Sequence, residues 1–207
     1  MNAPQRLTDR KRLAILDAAA EEFRAFGFEA TSMDRIAAKA EVSKRTVYNH
    51  FPSKEDLFAE TLVQLFDEIA GRIELAYRAD VTLRTQLLEL MQQKMRMMTD
   101  PNFIDVARVA IGEAIHFPER TRKVVARLGE REEGLTVWIR AAQADGRLKA
   151  GDPVFAAAVL QGQVKAAAFW PQVTMGMPPL TPEQQAPVVD AAVSMFLAYF
   201  AEAKHAA

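Results

Sequence analysis

Among 207 residues, 26 Lys+Arg stand against 27 Asp+Glu, half of the chain is hydrophobic, and there is no cysteine. A hydrophobic half at balanced charge excludes a disordered tail, and the lack of Cys excludes disulfide scaffolds, thiolate zinc sites and cysteine nucleophiles. The net charge of −1 argues against a nucleic-acid partner, whose binding domains are usually basic, but residues 1–54 carry 10 basic and 7 acidic groups, a balance of +3, against 16 and 20 in 55–207, a balance of −4.

The basic start MNAPQRLTDRKR leads into an apolar stretch broken by Asp17, Glu21 and Glu22, so no signal peptide is expected. The most apolar windows, 153–170 and 186–200, are interrupted by Gln161, Gln163, Lys165 and Asp190, short of the about 18 clean apolar residues of a membrane span. The expectation is a cytoplasmic protein with no membrane partner. Thirty-six Ala against 9 Gly and 10 Pro favour an all-α chain.

The first helix is predicted over about Thr8–Phe26, with Leu13, Leu16, Ala20, Phe23 and Phe26 on one face and Gly27 as its stop. Thr31-Ser32-Met33-Asp34 reads as a capping box opening a short helix with Met33, Ile36, Ala37 and Ala40 inward. Ser43 caps a third short helix ending near Phe51. After Pro52, Ser53-Lys54-Glu55-Asp56 opens a long helix to about Tyr77. Further helices are expected at about 82–99, 102–117, 119–145, 153–170 and 183–204, about nine in all, with Pro171–Pro182 as a loop.

Residues Ser32–Phe51, SMDRIAAKAEVSKRTVYNHF, are the most informative segment. Two short helices joined by Glu41-Val42-Ser43 and anchored by Ile36, Ala37, Val42, Val47 and Phe51 have helix-turn-helix spacing. The second helix presents Lys44, Arg45, Thr46, Tyr48, Asn49 and His50 and holds no acid. Such a helix suits the DNA major groove, where Arg and Lys donate to guanine and a Thr methyl meets a thymine methyl. Arg6, Arg10, Lys11 and Arg12 form a second basic cluster.

Residues 10–58 resemble the DNA-binding domain of the TetR (tetracycline-repressor-like) regulators through Ile15, Ala18, Phe23, Gly27, Phe28, Thr31, Ile36, Ala37, Val42, Ser43, Thr46, Tyr48, Phe51, Lys54, Leu57 and Phe58. The resemblance implies an N-terminal three-helix DNA-binding domain, 1–52, joined to an effector-binding and dimerisation bundle, 53–207. It implies that Thr31 or Ser32, Tyr48, His50 and Lys54 grip phosphates and that Lys44, Arg45, Thr46 and Asn49 reach base edges beside Ser43. Glu41 departs from the family, which commonly has Gly at this left-handed turn position. Phe103–Glu119, FIDVARVAIGEAIHFPE, resembles the C-terminal domain of the AefR-like and AcrR-like branch.

Helices 153–170 and 183–204 are apolar on two faces, more than one core stripe requires, so each needs a second burial partner, within the same subunit or in another. They fit the family's homodimer interface, and a two-fold dimer implies a roughly palindromic double-stranded operator. Met91, Met95 and Met98 at helical spacing, with Phe66, Phe103, Ile111, Trp138, Phe169 and Trp170, could line a pocket for a small hydrophobic or amphipathic effector, and could equally be ordinary core. Arg108, Glu113 and His116 could line that pocket or pair structurally.

Glu113-x-x-His116 matches one element of a di-iron bundle, but a di-iron site is not expected. Zinc-protease spacing, phosphate loops and nucleophile elbows are absent. Neither metal nor cofactor nor enzymatic activity is expected. The alternatives to a ligand-released repressor are a helical-bundle enzyme and a ligand-binding or interaction protein without DNA binding.

Overall fold

The computed structural model describes residues 7–70, 76–119, 121–122 and 134–203, apart from the side chains of Leu7, Phe66, Ile69 and Ala70. Among these lie ten helices: α1 (Leu7–Ala30), α2 (Met33–Lys39), α3 (Lys44–His50), α4 (Lys54–Ala70), α5 (Leu83–Met98), α6 (Pro101–His116), α7 (Gly134–Ala144), α8 (Pro153–Ala168), α9 (Trp170–Met175) and α10 (Pro182–Phe200). The described residues contain no strand. One antiparallel bridge joins Leu148 to Ala201.

Two compact units result, one drawn from residues 1–70 and 105–130 and the other from 71–104 and 131–207. Packing therefore runs across the functional boundary expected at 52/53, because α4 lies against α1.

In the first unit, Ile15, Phe23, Phe28, Ile36, Val47, Phe51, Leu57 and Phe58 form one core. Phe58 meets Phe23 and Phe28 edge-on at 4.9 and 5.1 Å between centroids. The expected stop at Gly27 is a break within α1: φ 72 and ψ 178 form a backbone region essentially reserved for glycine. Ser53 caps α4, accepting from the Asp56 amide at 3.0 Å. The long helix expected to reach Tyr77 does not, since residues 76–78 are non-helical.

The second unit packs α10 on α5 and α8, and α7 on α8. Arg84 pairs with Asp190 and donates to Ser194 Oγ at 3.0 Å, tying α5 to α10. The predicted loop after 170 begins with a helix instead, α9. Pro171 sits in its first turn, where a missing N–H costs nothing, and left-handed Gly176 (φ 65) ends it. Much of the helix expected over 119–145 lies outside the described residues.

The stretch 76–82 is held by two side chains. Gln86 accepts from the Arg78 amide at 2.8 Å and donates to the Arg78 and Val81 carbonyls at 2.7 and 2.9 Å. Arg147 donates to the Ala79 and Val81 carbonyls at 3.1 and 2.9 Å. Beside it, Tyr77 donates to Asp145, and its phenol is held above its ordinary pKa first by burial and then by that bond.

Candidate nucleic-acid interface

Local polar chemistry builds the α2–α3 pair. Ser32, the extended residue before α2, accepts from the Arg35 amide at 3.2 Å and so fills the cap role expected of Thr31. Glu41 adopts φ 55, the left-handed conformation disfavoured for residues with a Cβ. The Val42 amide then returns to the Ala37 carbonyl at 3.0 Å. Ser43 caps α3, accepting from the Thr46 amide at 3.1 Å, and its hydroxyl lies 2.8 Å from that of Thr46. Val47, wholly buried, anchors α3 to the core.

With that face fixed, Lys44, Arg45, Tyr48 and Asn49 are exposed, and Thr46 and His50 are half-buried. Among the described residues, no hydrogen bond engages the side chains of Arg45, Tyr48 or Asn49. Lys44 instead pairs with Asp34 of α2, Nζ to Oδ1 at 2.7 Å, and this hydrogen-bonded carboxylate raises the ammonium pKa above its usual value. The pair is open to solvent, so it exchanges cheaply for another anion.

Two expected phosphate ligands are engaged elsewhere. Thr31 is buried, and its hydroxyl donates toward the carbonyls of Gly27 at 2.7 Å and Glu22 at 3.1 Å. Lys54 Nζ donates to the carbonyls of Phe28, Thr31 and Glu29 at 2.9, 3.0 and 3.3 Å. In the DNA-free chain the hydroxyl is thus buried and the ammonium is engaged by three internal acceptors.

The second basic cluster is also divided. Arg10 and Lys11 are exposed, while Arg12 pairs with Glu60 at 2.6 Å and lies 5.3 Å from the Phe51 ring centre. Arg6 lies outside the described residues. On the α1 side of α2, Lys39 meets Glu21 at 2.7 Å, which lowers the carboxyl pKa and raises that of the ammonium. Arg35 Nη2 lies 2.8 Å from Glu22 Oε2, off the hydrogen-bonding direction, so this contact is electrostatic. The cations of α2 are thereby neutralised, and the open positive face belongs to α3.

The expected effector residues are distributed over both units. Met91, Met95, Met98 and Trp138 are core, 2% exposed or less. Phe103, Phe169 and Trp170 form an aromatic run with centroids 5.9 and 5.1 Å apart. Arg108, Ile111 and His116 belong to the first unit, where Arg108 pairs with Asp105 at 3.1 Å. The side chain of Phe66 lies outside the described residues. A cavity of about 150 Å³ in the second unit is lined by Ala76, Arg78, Gln86, Glu89, Leu90, Gln93 and Trp138, of which sequence reasoning had named Trp138 alone. Periodicity along α5 could have placed Gln86, Glu89, Leu90 and Gln93 near one face, but nothing in the sequence marks that face as hollow.

Among the described residues, no cluster of three or more His, Asp or Glu is arranged to hold a metal. No described helix is long and apolar enough to cross a membrane.

Comparison with known proteins decides what this architecture is. Residues 15–61 match the bacterial regulatory proteins of the tetR family, and residues 85–202 match the C-terminal domain of AefR-like transcriptional repressors. The chain belongs to the TetR family. A crystal structure of a TetR family transcriptional regulator from Pseudomonas syringae pv. tomato is 54% identical, covers 94% of this chain and 99% of its own, and superposes with a TM-score of 0.79. The flavonoid-responsive regulator FrrA is 28% identical over 94% of this chain and 98% of its own, with a TM-score of 0.76. The HTH-type transcriptional regulator YhgD of Bacillus subtilis (strain 168) is 44% identical over 66 residues, and that match spans only 32% of this chain and 34% of YhgD. The protein is a DNA-binding transcriptional regulator built as an N-terminal helix-turn-helix followed by a helical domain.

Proposed function

We propose that this TetR family member is a cytoplasmic homodimeric repressor, without catalytic activity, that binds a palindromic operator and is released by a small amphipathic effector. Residues 1–52 read DNA, and 53–207 dimerise and sense the effector. The observation that carries the reading is the outer face of α3, acid-free, with Arg45, Tyr48 and Asn49 unengaged on a helix whose other side is locked by Val47. Arg45 and Asn49 read base edges with Lys44 and Thr46, and Ser32, Ser43, Tyr48 and His50 hold phosphates.

Two observations support dimerisation. On α8, Ala156, Leu160 and Val164 are buried, while Phe155, Ala158, Gly162 and Ala166 form an exposed row. On α10, Val189, Val193 and Phe196 are buried, while Ala191, Met195, Ala198 and Tyr199 are exposed. One face of each helix is thus satisfied in the chain, and the other offers small and apolar residues to a second copy.

The 150 Å³ cavity supports the effector reading. A cavity of about this size holds a single aromatic ring, and its lining combines the apolar Trp138 and Leu90 with the polar Arg78, Glu89 and Gln93. An effector with unequal affinity for two arrangements shifts their populations. The flavonoid-responsiveness of FrrA accords with an aromatic effector here.

Duplexes selected by the protein from a random library provide the test. Affinity should fall steeply with salt, and Arg45→Ala should cost about 1–3 kcal/mol while relaxing preference at one base pair of each half-site. Binding insensitive to salt would reject the reading. Uniform weakening on all sequences would move Arg45 to the backbone.

A further inference from the structure

Lys44 opens the reading helix α3, yet its ammonium is held by an acid of α2. Nζ lies 2.7 Å from Asp34 Oδ1 and 3.1 Å from Oδ2, with both side chains more than half exposed. The cations of α2 itself, Arg35 and Lys39, are matched instead by Glu22 and Glu21 of α1. Asp34 is the acid of α2 and lies in its first turn. The buried Met33 and Ile36 seat that turn in the core, so the carboxylate stands at the surface beside α3.

An isolated lysine on a reading helix is a flexible point charge with three donors and no acceptor, and the nearest phosphate satisfies it. Paired with Asp34, it adds no net charge, and so nothing to the sequence-independent attraction that counterion release supplies. The exposed pair is weak, and Lys44 can leave it at little cost. What the carboxylate governs is where the ammonium goes. A phosphate brought to Nζ would come within reach of a second anion. Guanine O6 and N7 are neutral acceptors, and a lysine that donates to them keeps a further N–H for Asp34. The acid therefore penalises the wrong acceptor more than the right one, which is how a repulsive element produces specificity.

We propose that Asp34 determines specificity in DNA recognition: as a positioning residue, it commits Lys44 to a base edge and against the phosphate backbone. It makes no base contact of its own. The proposal rests on Lys44 being a reading residue of α3, and the experiment separates the two claims. The full-length chain selects duplexes from a random library and is then titrated with the selected duplex and a scrambled one, from about 50 to about 200 mM salt. Lys44→Met should erase preference at one base pair of each half-site. Asp34→Asn should flatten preference at that same base pair. It should also raise affinity for the scrambled duplex about tenfold and steepen the salt slope by about 0.9 for each bound head. The selected-to-scrambled ratio then falls about tenfold. Asp34→Glu keeps the carboxylate and should retain most of that ratio. With Asp34→Asn and Lys44→Met combined, the gain on scrambled DNA should vanish, because no ammonium is left to release. Both side chains are exposed, so melting temperatures should barely move.

A gain on both duplexes with the base preference intact would reduce Asp34 to general repulsion and overturn the proposal. A change of preference at a base pair that Lys44→Met leaves alone would make Asp34 itself a base contact, and would overturn it too. Selection of the wild-type sequence by Lys44→Met would instead overturn the reading of Lys44.

Discussion

The turns of the helix-turn-helix are built by residues that are neighbours in sequence, and the ties between helices of the second unit by residues far apart. Ser32 caps through Arg35, Ser43 through Thr46, and Thr31 returns to Gly27, spacings of three or four residues. In the second unit Trp138 Nε1 donates to Gln86 Oε1 across 52 positions, Gln172 Nε2 to the Met98 carbonyl across 74, and Arg84 pairs with Asp190 across 106. Short ties let a reading surface keep its shape through its own turn chemistry. Long ties make the helical domain one cooperative object in which a disturbance at one helix is felt at others.

The sharpest way to break that contrast is at Gln86, which joins α5, α7 and the 76–82 stretch. Gln86→Ala would leave the Trp138 indole N–H and the Arg78 amide without this acceptor, and unmet buried donors cost about 1–3 kcal/mol each. A loss of about 3 kcal/mol is expected, read as a lowered denaturant midpoint from Trp138 emission in a Trp170→Phe background. A loss under about 1 kcal/mol would mean that Arg147 alone holds the stretch and that the long-range ties add little.

This division also explains what could be read in advance. Helix-turn-helix spacing, the Ser43 cap, the Glu41 anomaly and the Gly27 stop each depend on a handful of adjacent residues, so the sequence exposes them. The internal acceptors of Lys54 were not legible because they are backbone carbonyls 23 to 26 positions earlier, and a carbonyl has no residue type to recognise. The cavity beside Gln86 and Glu89 was not legible for a related reason. Met91, Met95 and Met98 mark an adaptable apolar face, but whether that face is filled or hollow is decided by helices from elsewhere in the chain. Here the three methionines are core, and a hollow lies beside Gln86 and Glu89. Proline also misled: it reads as a breaker after residue 170, yet Pro171 sits in the first turn of α9.

In the first unit the corresponding test is Gly27→Ala. A Cβ there would meet nothing within 4 Å, so any penalty comes from the backbone alone. Holding alanine at φ 72 and ψ 178 costs on the order of 1–3 kcal/mol. About 2 kcal/mol of lost stability is expected in thermal or denaturant unfolding, with selective loss of amide-exchange protection around residues 28–36. Unaltered protection there would show that the break is not what orders the start of α2.

The smallest effect expected is a gain. Glu41 holds φ 55 with a Cβ in place, a strain of about 1–2 kcal/mol, part of which glycine would return as unfolded-state entropy. Glu41→Gly should therefore stabilise the protein by about 1 kcal/mol, a rise of about 2–4 °C in melting temperature for a chain of this size. It also removes an acid two residues before the Ser43 cap, so affinity for all duplexes should rise slightly without a change in sequence preference. Stabilisation without a change in affinity would place the Glu41 carboxylate clear of the DNA backbone. Loss of stability would show that the carboxylate has a compensating partner, and that the turn is less local than the contrast between the two units requires.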